Sequence, residues 1–248
     1  MKANFIVAGT QKGGTTAIAR FLAQHSQVSF STPKETHFFD DEELFSSPIT
    51  PAYDTYHQHF DFSPAGRAVG EATPIYMYWK PALGRIKNYN PEMKWIFFLR
   101  NPIERAYSHY VMERNRGAED MSFSDAIRAE EDRLAEVYPM QHRVYSYIDR
   151  GYYSRQIKLI LNEFPMNQML FLKTEDLREH HQGTLEKVFD FLSIDGITSI
   201  PEEIVSSNQY PRMCAGDENY LWQKFEKEID DLEQLLTWDC SNWRVRSA

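Results

Sequence analysis

The sequence predicts an α/β fold of three layers, with a central parallel β-sheet and helices on both faces. Three observations predict it. Short apolar runs rich in β-branched residues alternate with amphipathic segments along the chain, which is the pattern of β-α-β units. Trp95 to Leu99 are five consecutive apolar residues, as expected of a strand covered on both faces. The first apolar run passes through a Gly/Thr-rich turn into a helical pattern, giving strand, loop and helix in that order. The 248 residues show no repeat, low-complexity tract or linker, so a single domain over 1–248 is expected.

The elements follow in order. Residues 4–8 (NFIVA) form the first strand. In TTAIARFLAQHS, residues Ile18, Phe21 and Leu22 recur at helical spacing. QVSF (27–30) is a short second strand, and PKETHFFDD is a loop. One short helix is expected near 52–60, and AVGEAT (68–73) is a third strand. A helix near 79–89 ends before Pro91, and KWIFFLRNP carries the fourth strand. Pro102, a residue favoured in the first helical turn, opens a helix to about Arg116. SFSDAIRAEEDRLAEV (122–137) starts on a serine cap. A helix at 153–163, a strand at 169–175 and a helix at 183–193 come next. Residues 194–217 read as loop. The last helix, 218–236, contains EKEIDDLEQLL, whose acidic residues are expected on a solvated face.

Composition narrows the function. Twenty-seven basic against 36 acidic residues leave a net charge of −9. Such a chain repels nucleic acid and anionic membranes at long range, but it can still hold a local basic pocket for a small anion. No apolar run reaches the ~18–20 residues of a membrane span, so no membrane insertion is expected. Cys214 and Cys240 form no C-x-x-C pair, which suits a reducing, cytoplasmic setting. His57/His59 and His180/His181 lack zinc-ligand spacing, and no metal is expected.

The first loop is Gly9-Thr10-Gln11-Lys12-Gly13-Gly14-Thr15-Thr16. It matches the nucleotide-binding P-loop, G-x-x-x-x-G-K-[ST], at Gly9, Gly14 and Thr16, but Thr15 stands where the lysine belongs. The loop lysine, Lys12, lies three residues earlier. Loop amides and a helix N-terminus make an anion cradle, and Lys12 adds a full charge to it. The strand WIFFLR ends in arginine, where a magnesium-dependent NTPase would place aspartate. Both departures argue against ATP or GTP hydrolysis. The fold class is therefore of the P-loop nucleotide-binding type, adapted to a different anion.

FIVAGTQKGGTTAIARFL resembles the 5′-phosphosulfate-binding loop of sulfotransferases that use 3′-phosphoadenosine 5′-phosphosulfate (PAPS). WIFFLRNPIERAYSHY resembles the family's 3′-phosphate-binding motif, R-x-P-x-x-R-x-x-S. PKETHFFD (33–40) resembles the K-E-x-H-F-F block of the carbohydrate sulfotransferases, especially the heparan N- and 3-O-sulfotransferases. GEATPIYMY (70–78) resembles their acceptor-side strand, E-K-[ST]-P-x-Y, at Glu71, Thr73, Pro74 and Tyr76, with Ala72 in the place of the lysine. RGYYSRQIKLILNEF (150–164) resembles a G-x-Y segment before a long helix, with Gly151 at the turn and Tyr152 or Tyr153 packing toward the acceptor cleft. SSNQYPRM (206–213) stands where a late basic loop occurs, with Arg212 as its basic residue.

The resemblance implies a sulfotransferase that uses PAPS as co-substrate, releases 3′-phosphoadenosine 5′-phosphate (PAP) and needs no metal. It implies that Gln11, Lys12, Gly13, Gly14, Thr15 and Thr16 hold the 5′-phosphosulfate, and that Arg100, Ser108 and Arg212 hold the 3′-phosphate. Arg105 is expected to support its helix through an ion pair. Lys12 is the catalytic cation and Glu35 the general base, with Lys12 nearby to keep it ionised. His37 is a second candidate base or an orienter of substrate. The implied acceptor is a small molecule or a glycan, with a carbohydrate hydroxyl first and an amine, polyketide, lipid or other alcohol as alternatives. A P-loop kinase and a non-catalytic nucleotide-binding module are the competing readings.

Overall fold

In the computed structural model, residues 1–47, 51–62, 67–196 and 211–244 are described. The elements in chain order are β1 (Phe5–Gly9), α1 (Thr15–Ala23), β2 (Val28–Phe30), α2 (Asp54–His57), β3 (Ala68–Glu71), α3 (Lys80–Tyr89), β4 (Lys94–Leu99), α4 (Pro102–Asn115), α5 (Phe123–Val137), α6 (Tyr153–Leu161), β5 (Met169–Lys173), α7 (Thr174–Glu179), α8 (His181–Leu192) and α9 (Ala215–Leu236). Short 3-10 turns cover Pro74–Met77, Asp149–Gly151, Met166–Gln168 and Ser241–Trp243. The chain packs as two compact units, Met1–Leu99 with Leu159–Val205, and Arg100–Lys158 with Ser206–Ala248.

The first unit holds a five-stranded sheet in the order β2-β3-β1-β4-β5, with every pairing parallel. The chain leaves β1 toward β2 and crosses back from β3 to β4. Right-handed crossovers in opposite directions put α1 and α3 on opposite faces. Alternation along the strands then builds two cores. Phe5, Val7, Ile96, Phe98 and Leu172 face Ile18, Phe21 and Leu22 of α1, Leu177 of α7 and Leu185, Val188, Phe189 and Leu192 of α8. On the other face Trp95 stacks on Phe97 at 6.0 Å and Phe97 on Phe171 at 4.9 Å, while Phe164 meets Trp95 edge-on. β4 is buried from Trp95 to Leu99, as its apolar run predicts.

Two departures from the sequence reading stand out in this unit. The third strand stops at Glu71, and Pro74–Met77 turn as a 3-10 helix whose cap is Thr73. The fifth strand stops at Lys173 and gives way at once to α7, whose first turn carries Glu175 and Asp176. Carboxylates there complement the helix dipole, and that local preference ends the strand.

In the second unit, Pro102 and the Asn101 cap open α4, and the Ser122 side chain accepts from the Asp125 amide to cap α5. Leu221, Phe225, Ile229 and Leu232 form the buried stripe of α9. The acidic residues of this helix are not all solvated. Glu228 is buried and accepts from the Ser154 amide at 2.6 Å and its hydroxyl at 2.8 Å, so one carboxylate caps the start of α6. Residues 194–196 and 211–214 form neither helix nor strand; the rest of the predicted loop between them lies outside the described residues.

Candidate active site

The Gly/Thr loop leaves the carboxyl end of β1, between β3 and β4, where open α/β sheets bind ligands. Two bonds fix its floor. The Thr10 amide donates to the Phe98 carbonyl at 2.9 Å, and the Thr174 hydroxyl donates to the Gly13 carbonyl at 2.8 Å. Gly13 lies so close to β4 that a Cβ there would stand 2.2 Å from the Phe98 carbonyl oxygen. Gly14 turns with φ 91° as the N-cap of α1, a conformation suited to glycine. The N-terminus of α1 has no side-chain cap and no acidic residue in its first turn. Its leading amides have no intrahelical acceptor, and the helix dipole there favours an anion. Those features suit a small anion.

Lys12 also has positive φ, 73°, and so does His37, at 53°. Such geometry costs a non-glycine residue about 1–3 kcal/mol, and it gathers at functional sites. Both of these residues were singled out by the sequence for chemistry.

The K-E-T-H loop comes next. Lys34 Nζ is 2.6 Å from Glu35 Oε1 and donates to Thr16 Oγ1 at 3.4 Å. His37 Nε2 is 3.4 Å from Glu35 Oε2, and its Nδ1 contacts both Asp40 carboxylate oxygens, at 3.0 and 3.2 Å. Asp40 is 1% exposed. The result is a continuous line, Asp40–His37–Glu35–Lys34–Thr16, that ends on the first turn of α1. Burial pushes the Glu35 carboxyl up, but hydrogen bonds from His37 and Lys34 and the charges of both outweigh it, holding the group at about 2. The Asp40 bond, then the Glu35 bond, raise His37 to about 10 against burial. His37 is therefore an imidazolium at neutral pH, donating from both nitrogens. The cations that hold Glu35 ionised are Lys34 and His37, a role the sequence had assigned to Lys12.

A buried carboxylate supports this loop from beneath. Glu71, fully buried at the end of β3, accepts from the Thr36 hydroxyl at 2.7 Å, the Thr36 amide at 3.2 Å, the Tyr56 hydroxyl at 2.7 Å and the Thr73 hydroxyl. Burial raises its pKa, and the donors from Thr73, Thr36 and Tyr56 pull the other way. Thr36 lies between Glu35 and His37 in sequence, so Glu71 grips the middle of the loop. The Tyr76 hydroxyl accepts from the Phe39 amide at 3.2 Å, while Ala72, where the resemblance expects a lysine, is buried in the core.

The remaining predicted residues belong to the second unit. Arg100 directs Nε and Nη2 onto one oxygen of Glu104, at 3.0 and 2.7 Å, and its carbonyl accepts from the Tyr153 hydroxyl at 2.9 Å. Ser108 is buried on α4. Arg105 is buried and donates to the Tyr147 carbonyl, which supports a structural role. A Cβ on Gly151 would meet the Phe225 ring at 2.5 Å; that contact explains the glycine at the turn. Arg212 is exposed ahead of α9.

His57 shares a hydrogen bond with the Tyr89 hydroxyl, at 3.0 Å, and His59 with the Thr32 carbonyl, at 3.2 Å. Among the described residues, no cluster of three or more His, Cys, Asp or Glu side chains is placed to hold a metal ion, and no helix is long and apolar enough to cross a membrane.

Sequence reasoning missed Lys34, Asp40 and Thr36, and it singled out Glu71 only as a match to the acceptor-side strand, without its role beneath the loop. The first two were within reach: Lys34 adjoins Glu35, and Asp40 ends the block that named Glu35 and His37.

Residues 2–228 match the sulfotransferase domain family. The chain is 30% identical over 199 residues to mouse heparan sulfate glucosamine 3-O-sulfotransferase 3B1, covering 77% of this chain and 46% of that protein. It is also 30% identical over 202 residues to the human bifunctional heparan sulfate N-deacetylase/N-sulfotransferase 2, covering 77% of this chain and 22% of that protein. The chain thus spans less than half the length of these relatives. Among solved structures, a sulfotransferase from Alicyclobacillus acidocaldarius superposes with a TM-score of 0.84 at 26% identity, over 99% of this chain and all of that one. The sulfotransferase domain from the curacin biosynthetic pathway shares the fold, with a TM-score of 0.56 at 14% identity over 96% of this chain and 99% of that one. By sequence motif, fold and family match together, the chain belongs to the PAPS-dependent sulfotransferase domain family.

Proposed function

We propose that the chain transfers a sulfo group from PAPS to an acceptor hydroxyl or amine by in-line displacement, with Glu35 as general base. The observation that carries this reading is the line Asp40–His37–Glu35–Lys34–Thr16, which ties a polarised carboxylate to an uncapped helix N-terminus. PAPS supplies an activated sulfo group on a phosphate leaving group. Gln11 and the amides from Gly13 to Thr16 hold the 5′-phosphate, and Lys12 neutralises the charge that gathers on the bridging oxygen. Arg100, Ser108 and Arg212 take the 3′-phosphate, where the arginine fork suits a phosphate. Glu35 accepts the acceptor's proton. His37, held as an imidazolium by Asp40, orients Glu35 and the acceptor. Protein cations serve where a nucleotide kinase uses a metal.

The two packing units act as one catalytic domain in this reading, because the family match runs through both. The free thiols of Cys214 and Cys240 support a reducing, cytoplasmic setting. A carbohydrate or glycoconjugate hydroxyl is the first choice of acceptor, since the named relatives act on heparan sulfate. A second reading, a polyketide, lipid or other small-molecule alcohol, is favoured by Ala72: where the heparan group carries a cation, this chain buries a methyl group.

A screen with sulfur-labelled PAPS across glycans, lipid-linked sugars and small alcohols tests the function, with thermal-shift titration of PAP against ATP-Mg alongside. Transfer to one acceptor class and stabilisation by PAP are expected. Stronger stabilisation by ATP-Mg, or no transfer to any class, overturns the reading.

A further inference from the structure

We propose that Lys34 senses the donor: without PAPS it closes the Glu35 carboxylate, and with PAPS it moves onto the transferring sulfo group and leaves Glu35 open to the acceptor's proton. The inference rests on the reading that this loop binds PAPS.

The geometry puts one ammonium between two anionic positions. Lys34 Nζ is 2.6 Å from Glu35 Oε1 and 3.4 Å from Thr16 Oγ1, in the first turn of α1. Its backbone is pinned, because its carbonyl accepts from the Ala72 amide and the Ser31 hydroxyl, each at 3.0 Å. The side chain is 26% exposed and pivots from that fixed point on a flexible four-carbon stem. Thr16, its second contact, lies where the anion cradle begins. A short swing trades the carboxylate for a sulfo oxygen, with the charge paired at both ends of the motion.

The other cation on Glu35 has no such freedom. His37 is anchored through Nδ1 to the buried Asp40, at 3.0 and 3.2 Å, so it stays with the loop. Of the two groups that quench Glu35, only Lys34 has a second destination. The exchange has a chemical purpose. A carboxylate held at about 2 is a feeble base, and general bases work best when their pKa approaches the working pH. Removing one adjacent positive charge raises a carboxyl pKa by about 1–3 units.

The transfer balances in atoms and charge. The bond from sulfur to the bridging oxygen breaks, and its electron pair stays with the 5′-phosphate of PAP. The acceptor oxygen forms the new bond to sulfur, and its proton passes to Glu35. Lys34 keeps its own proton throughout and faces the non-bridging sulfo oxygens. Coupling follows from the layout: Glu35 becomes a competent base only when the sulfo group is in place to draw Lys34 away.

The test compares two ligands that differ by the sulfo group. Isothermal titration with PAP and with PAPS is run on wild type, Lys34→Met and Lys34→Gln, the last retaining a polar tip. Both variants are expected to bind PAP within about twofold of wild type, and to lose about tenfold or more in PAPS affinity, the scale of a charge-assisted hydrogen bond. Carbon-detected titration of the Glu35 carboxyl in donor-free Lys34→Met is expected to move up by at least about one unit. Unchanged PAPS affinity together with an unchanged Glu35 titration overturns the proposal and leaves the donor reading intact. Equal loss of PAP and PAPS in both variants also overturns it, since Lys34 would then serve the phosphate or the fold. Wild type that binds neither nucleotide removes the donor reading itself.

Discussion

Replacing Glu71 by alanine should be among the most damaging single changes to the first unit. The carboxylate is fully buried and accepts from the Thr36 amide and from the hydroxyls of Thr36, Tyr56 and Thr73. Glu71→Ala strands these donors. Hydroxyls can turn to other partners, but the Thr36 amide cannot, and one buried unsatisfied donor costs about 1–3 kcal/mol. The emptied volume and the lost charge-assisted bonds bring the expected loss to about 4 kcal/mol, at the severe end for a point change.

Glu71→Gln should be far milder, about 1 kcal/mol. Its carbonyl oxygen can keep the Thr36 and Thr73 donors while its amide faces the Tyr56 hydroxyl, which can accept. The pair also separates charge from shape. Burial raises the folded-state pKa of Glu71 above the ordinary 4.5. The folded protein therefore binds more protons than the unfolded chain between 4.5 and that raised value, and wild-type stability falls as pH rises through that window. Glu71→Gln should lack this component. Denaturant melts of all three proteins at several pH values measure both effects. A Glu71→Ala protein within 1 kcal/mol of wild type, or a pH slope that Glu71→Gln leaves unchanged, would refute the account of Glu71 as the buried anchor of the loop.

Three further outcomes are expected. Lys12→Ala and Glu35→Gln should each abolish sulfo transfer, while Glu35→Gln still binds PAP; full activity in Glu35→Gln would remove it as the base. Glu104→Gln should tighten PAP binding about twofold in calorimetry at low salt, because it frees Arg100 from an exposed i,i+4 pair worth about 0.3–0.5 kcal/mol. Asp40→Asn should bring the alkaline limit of kcat down from about 10 toward 6.5, since Asp40 is the largest cause of the raised His37 value; protonated His37 is lost as pH climbs through its pKa, and a pH–rate profile with an unmoved limb would contradict its role.

Local signals carried most of the architecture into the sequence. The five apolar runs declared the strands, and Gly9 to Thr16 declared the loop because its conformational and electrostatic demands fall within eight residues. Glu35 and His37 were legible through the resemblance of PKETHFFD to the K-E-x-H-F-F block, not from their local pattern alone. Glu71 stood out as a match to the acceptor-side strand, but its role did not, because that role comes from Thr36, 35 residues away in sequence, and from Tyr56, 15 away; a carboxylate in a strand pattern gives no sign that hydroxyls will surround it. Glu228 was read as solvated because helical spacing alone does not tell which acidic residue meets the start of another helix. The turn into α7 left a trace in Thr174-Glu175-Asp176, a helix-opening composition, but the apolar run MLFLK outweighed it. The identity of Glu35's partners depended on a side-chain direction that spacing cannot supply.

The left-handed backbone of Lys12 closes that position to drift from two directions at once. Glycine or asparagine would relieve the conformation, yet either would forfeit the ammonium. Arginine would retain a positive charge and the strain together, but it would exchange a compact point charge for a broad planar fork. A residue that both tolerates φ 73° at ease and carries a small cation on an unbranched stem does not exist among the twenty. The loop is therefore a poor starting point for gradual conversion to triphosphate chemistry: moving the lysine to position 15 changes charge placement and backbone demands in two places, and neither half-step alone keeps a working cradle.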